Sequence, residues 1–299
     1  MSQSDAALNQ LEGAVKDSSD EESAEPNELV PILPPEIERE IFEITAQFPR
    51  NAVQLVLVAR RTQIWIERLI YETVTLSDPE ICDKFLRTLE SRPAQFFADN
   101  VKSLCVPGDI ELFEAEKVLK ACRGVVNLAV WLPPQHAPLF PSVCSLQPRR
   151  LSVNVSALCG STSQPDFSHP FFAKVTHLEL VDWMDWTTFL HIDQLSPHLT
   201  HLALDLDTET EGSVAHIRNI LSSCRSLVIC IGLVTNDEAM IVASEQLASI
   251  EDTRLVILSE SNVIDNWEAS LRDGTDASVW VFAESIVVAK TQLVVEILI

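Results

Sequence analysis

The chain has 299 residues, 46% of them hydrophobic, with a formal net charge of -23 at neutral pH. That length admits one large domain or two smaller ones with a sizeable core. The excess acid argues against a surface of clustered Lys and Arg for nucleic-acid phosphate, and against docking on anionic lipid.

Residues 1–30 are mostly polar and carry the acidic run KDSSDEESAEPNE, Lys16 to Glu28. Dense negative charge with little apolar surface predicts a disordered tail. The acidic context of Ser18 and Ser19 admits phosphorylation, but a solubilising role needs nothing more. No basic stretch followed by an apolar one opens the chain, so no signal peptide is expected. No run of about 18 apolar residues predicts a membrane span. The seven cysteines form no CxxC pair, and several sit in apolar runs, such as Cys230 in LVICIGL. They read as buried free thiols of a reducing compartment, cytoplasmic or nuclear. Asn154-Val155-Ser156 is a glycosylation sequon only in the formal sense.

A helical block follows over about 33–72. Pro35 suits the first turn of a helix, where a missing N–H costs nothing. Ile37, Ile41 and Ile44 then recur on one face, and Pro49 ends the pattern. The second stretch, NAVQLVLVA (51–59), is nearly all apolar and is expected to be buried on most sides. The third, QIWIERLIY (63–71), pairs Trp65 with Leu69 and Ile66 with Ile70 at helical spacing. Three helices this short make a module too small to be stable without a neighbour.

Beyond it the texture changes to strand-like segments built on one leucine each: Leu104, Leu128, Leu151, Leu178, Leu202, Leu227 and Leu255. They recur at intervals of 24, 23, 27, 24, 25 and 28 residues. Each alternates apolar and variable residues, the signature of a strand with one buried face. Helical patterns lie between several of them, at 114–124, 211–224 and 236–249. One strand and one helix in that period is the pattern of leucine-rich repeats. A single β–α unit cannot bury its faces alone. Stacked units share a core beneath a parallel sheet, with right-handed crossovers.

LPPEIEREIFEI (33–44), VQLVLVARR (53–61) and RLIYETVTL (68–76) together resemble an F-box. The matching positions are Leu33, Pro34, Glu36, Ile37, Ile41 and Phe42, then Leu55, Leu57, Val58, Arg60 and Arg61, then Leu69 and Tyr71. The whole chain resembles the F-box-like repeat proteins abundant in mushroom-forming fungi. The expected fold is therefore α/β, with a short helical F-box-like module before a leucine-rich-repeat-like β–α solenoid. The expected organisation is a tail over 1–30, the module over 31–76 and the solenoid over 77–299. The resemblance implies docking on a Skp-type adaptor of cullin–RING ubiquitin ligases through Leu33, Pro34, Ile37, Ile41 and Val58. The repeats would then hold a target protein that the sequence does not name. The alternative is a repeat scaffold whose first helices only cap the open end of the stack.

Other candidates are few. His198-x-x-His201 completes no ligand spacing for a metal, and His201 stands at the same repeat position as His177, where it reads as a surface or ridge residue. His177-Leu178-Glu179 lacks the cysteines of a zinc deaminase and reads as outward residues flanking a core leucine. Trp183 and Trp186 in VDWMDW, with Asp205 and Asp207 in the next unit, form a candidate acidic and aromatic surface for a partner. With seven glycines there is no phosphate-cradling loop and no nucleophile elbow. No enzyme activity, cofactor or metal is expected.

Overall fold

The structure is a computed structural model that describes residues 33–134, 138–160, 165–181, 186–195, 197–206, 213–260, 262–271 and 278–297. Pro35 opens α1 (Pro35–Ala46), and the Pro34 carbonyl accepts the N–H groups of Ile37 and Glu38. Phe48 is extended ahead of Pro49, which starts α2 (Pro49–Leu55). Thr62 accepts the Ala59 N–H at 3.0 Å and fixes the entry of α3 (Arg60–Glu72). The three helices share a small core of Ala46, Ala52 and Ile66, flanked by Phe42, Leu55, Val56 and Leu69.

The second helix departs from expectation. It ends at Leu55, and Val53, Leu57 and Val58 are exposed rather than buried. Two helical turns bury only one side, through Ala52, and the neighbouring helices are too short to cover the rest.

Among the described residues, the rest is built on one parallel sheet of eight strands, in chain order from edge to edge. Its strands are β1 (Thr73–Thr75), β2 (Ser103–Val106), β3 (Asn127–Val130), β4 (Arg150–Val153), β5 (His177–Leu180), β6 (His201–Asp205), β7 (Ile229–Val234) and β8 (Leu255–Ser259). Helices α4 (Pro79–Ser91) and α5 (Ala94–Asn100) join β1 to β2, and α6 (Leu112–Ala121) joins β2 to β3. Then come α7 (Phe140–Val143), α8 (Val155–Cys159), α9 (Ser213–Ser223) and α10 (Asp237–Leu247), and after β8, α11 (Val263–Ser270) and α12 (Val279–Ile297). Asp78, Asn154, Asn236 and Asn262 cap α4, α8, α10 and α11 through their side-chain oxygens. Asn154 is buried in that role, which removes its sequon from the surface. Among the described residues no helix is long and apolar enough to cross a membrane.

Register explains the leucine spacing. Val74, Leu104, Leu128, Leu151, Leu178, Leu202, Cys230 and Leu255 stand side by side across the sheet. Two corrections follow. A strand at Thr73–Thr75 precedes the seven expected ones, and in β7 Cys230, not Leu227, holds the row. Leu227 is buried just ahead of the strand. Helices α4–α10 pack under this row and contribute Phe85, Phe97, Val118, Leu158, Ile220 and Leu247 to one continuous core. The backbone ladder runs on at the strand entries: Lys102, Val126, Arg149, Thr176 and Thr200 each accept two N–H groups from the next unit through one carbonyl.

The first three helices join the sheet through α3. Arg92 sits 4.6 Å from the Phe96 ring centre and grips Glu67 of α3 with both terminal nitrogens, at 2.7 and 3.0 Å. That hydrogen bond holds the Glu67 carboxyl below its usual range. Tyr71, Phe96 and Phe97 pack edge to face around the joint.

Gly124 turns the chain from α6 toward β3. A Cβ there would meet the Ala98 carbonyl oxygen at 1.9 Å, and backbone cannot swing aside as a side chain can. Gly124→Ala is expected to lower stability by about 1–3 kcal/mol, read from the midpoint of urea unfolding.

Candidate interaction surfaces

Two surfaces stand out. The first is the outer side of the N-terminal helices. Alternation at i, i+4 and i+7 puts Ile37, Ile41 and Ile44 on one stripe of α1, and all three are exposed, as are Leu33 and Pro34 before them. Phe48, Val53, Leu57, Val58 and Ile64 of the same three-helix block are exposed too. Exposure among these residues runs from 44% at Ile37 to 79% at Leu57. Single exposed apolar residues are ordinary, but a run on adjacent short helices is a marker of contact with another protein. Around its polar margin Arg61 meets Glu38 at 2.5 Å and Arg68 meets Glu43 at 3.0 Å, tying α1 to α3. These pairs are exposed and contribute little energy.

The second surface is the sheet face opposite the leucine row, and the C-terminal helices lie across it. Over β7 and β8, α12 packs Trp280 and Ala283 on Ile229, Ile231, Val256 and Leu258. Lys290 of α12 donates to the Leu255 carbonyl at 2.7 Å, on the edge strand. Over β1–β4, α11 seats Trp267 on Cys105 and Ala129, beside Trp131 and Leu271. Thr75 donates its hydroxyl to Glu268 at 2.8 Å, and Arg150 donates to the Ser270 carbonyl. Among the described residues the buried Trp267 indole N–H has no partner, an omission that typically costs about 1–3 kcal/mol.

The histidines belong to this face, not to an open ridge. His177 and His201 stack at 4.0 Å between ring centres, and Trp280 meets both edge-on. His201 Nε2 lies 2.9 Å from Glu284 of α12. Both histidines alternate away from Leu178 and Leu202 as expected, but α12 covers them. Burial pushes His177 down to about 3, helped by His201 and Arg150, and pushes His201 down against the pull of Glu284. Both rings are neutral at pH 7. Next to them Glu179 is pushed up to about 8, by burial first and then by Glu260 and Asp205, while a hydrogen bond from Ser152 opposes the rise. Ser152 in turn accepts the Trp131 indole N–H at 2.7 Å. Burial also raises Glu260, which accepts a hydrogen bond from Asn266 of α11.

Of the acidic and aromatic candidates, Asp205 ends β6 opposite Leu233, and Trp186 opens a 3-10 segment over 186–195. Trp183 and Asp207 lie outside the described residues. Sequence reasoning missed Trp267, Trp280 and Glu284, which gain meaning only from the face their helices cover. Among the described residues no group of three or more His, Cys, Asp or Glu could hold a metal ion. Burial pushes the Cys122 and Cys230 thiols up to about 12, so neither is a thiolate nucleophile at neutral pH. The chain matches no family profile, no curated protein and no solved structure.

Glu179 prefers its neutral form in the fold. Its contribution to stability is complete below the usual carboxyl value of 4.5 and is lost as pH rises through about 8. Glu179→Gln is therefore expected to stabilise the protein at pH 8–9 and to change little at pH 4. Denaturant unfolding of both proteins across that range checks it; equal losses above neutrality would contradict it.

Proposed function

We propose that this chain is a substrate-recruiting subunit of F-box type. In this reading α1–α3 form the F-box-like module and dock on a Skp-type adaptor of a cullin–RING ubiquitin ligase. The strands and helices from β1 onward act as a leucine-rich-repeat-like solenoid that binds a target protein. The protein works by holding two partners together, without chemistry of its own.

The observation that carries the reading is the exposure of apolar side chains on α1 and α2. Helices that served only to cap the stack would turn their apolar side chains toward the sheet. Here only the C-terminal end of α3 does that, through Tyr71 and the Arg92 joint, while Leu33, Ile37, Ile41 and Val58 face outward. Those four residues coincide with positions at which the resemblance places adaptor contacts. Exposed apolar side chains on neighbouring short helices suit a partner with an apolar groove. The acidic surface leaves room for a basic target.

Purified full-length protein is expected to bind a purified Skp-type adaptor directly. Ile41→Asp and Leu57→Asp remove exposed side chains, so each should shift stability by no more than about 0.5 kcal/mol. Each should still weaken adaptor binding by ~10-fold or more, the share of one central apolar contact. Calorimetric titration with parallel thermal melts reads both. Absence of binding by the unsubstituted protein, or undiminished binding by the variants, would refute the reading.

A further inference from the structure

The two C-terminal helices cover one sheet face, but the surface beneath them changes character along the way. Under α12 the strands present Ile229, Ile231, Val256 and Leu258. Parallel strands that are permanently covered on both faces have that composition. The same face of β1–β4 carries Thr75, Ser103, Asn127, Arg150 and Ser152. Cys105 and Ala129 are the apolar points among them. Those are side chains of a surface that meets water or a partner.

Helix α11 rests on that polar stretch in the manner of a bound peptide. It offers one aromatic anchor, Trp267, to the shelf of Cys105 and Ala129. It offers one carboxylate, Glu268, to the Thr75 hydroxyl, and one backbone carbonyl, that of Ser270, to Arg150. The fit is incomplete, because the Trp267 N–H finds no acceptor among the described residues. The helix has 8 residues, against 19 in α12.

We propose that α11 is a removable cover: it occupies a docking groove across β1–β4 whose external ligand is a peptide segment of another protein bearing an aromatic side chain followed by a carboxylate. The shelf takes the ring, Thr75 takes the carboxylate and Arg150 takes a backbone carbonyl, while α12 stays anchored on β7 and β8. The groove belongs to the sheet, so its existence does not depend on what binds the N-terminal helices.

Cys105 reports on the cover, since it lies directly beneath Trp267, whereas Cys122 and Cys230 lie in the core on the other side of the sheet. Native full-length protein is treated with iodoacetamide at pH 8, and each thiol is followed by peptide mass spectrometry. Local opening of α11 is expected to label Cys105 ~10-fold or more faster than Cys122 and Cys230, with the circular dichroism unchanged. Trp267→Ala should widen that ratio. A synthetic peptide of residues 262–271 (NVIDNWEASL), added in excess to the Trp267→Ala protein, should protect Cys105 again, and the same peptide with alanine for tryptophan should not. Equal labelling of the three thiols in the unsubstituted protein means that α11 opens only with global unfolding, and overturns the proposal. Failure of the tryptophan peptide to protect Cys105 overturns the docking groove. If Trp267→Ala loses its fold, all three thiols accelerate together, and the ratio in the unsubstituted protein decides alone.

Discussion

The row of side chains from Val74 through Leu104, Leu128, Leu151, Leu178, Leu202 and Cys230 to Leu255 is the constraint on which the rest of the chain depends. Parallel strands in register place equivalent positions side by side, and burial of one leucine-like residue per strand holds that register. Once the row is buried, each connection has to return under the sheet, and helices α4–α10 do so with Phe85, Val118, Leu158 and Ile220. A shift of one residue in any strand would turn its leucine to the opposite face. Shape complementarity is equally tight at the turns, where Gly124 lies against the Ala98 carbonyl.

The opposite face then has to be solvated or covered, and the chain does both jobs unevenly. Its C-terminal third supplies an apolar floor on β7 and β8, which α12 seals with Trp280 and Ala283. Its first half supplies hydroxyls, an amide and Arg150, which α11 meets with single polar contacts. Between the two lies a line of titratable groups, His177, His201 and Glu179, whose charged forms burial penalises to different extents, with Glu284 of α12 beside His201. A neutral histidine stack and a neutral carboxyl fit such a place better than their ions, since taking a charge from water costs more than the local hydrogen bonds return.

At the other end of the chain the limiting quantity is size. Three helices of 12, 7 and 13 residues cannot enclose all the apolar side chains that their sequences carry. Ile66 takes the centre, Arg92 and Tyr71 hold α3, and Leu33, Ile37, Ile41 and Val58 are left facing out. The end of α3 thus fastens the helices to the sheet, while apolar side chains of α1 and of the segment after α2 are left at the surface.

Much of this was legible in the order of the residues. Leu104, Leu128, Leu151, Leu178 and Leu202 marked strands that share one buried row, their spacing determined a parallel sheet with helical returns, and Pro35 with Ile37, Ile41 and Ile44 determined a helix with one apolar stripe. The expectation of a single buried face failed, because β2, β3, β4 and β6 are buried on both faces where α11 and α12 cover them. In LVICI (227–231) both alternating sets are apolar, so the pattern could not separate Leu227 from Cys230; all six residues of β7 are buried, and alternation carries no signal where both faces are covered. Whether the stripe of α1 faces solvent, whether His177 and His201 lie open or under a helix, and which floor α11 and α12 occupy were decided by tertiary structure alone. Periodicity records which side of an element is apolar. What covers that side depends on residues far away in the chain, such as Trp267 on Cys105 and Trp280 on His201, and no local pattern encodes such a pairing.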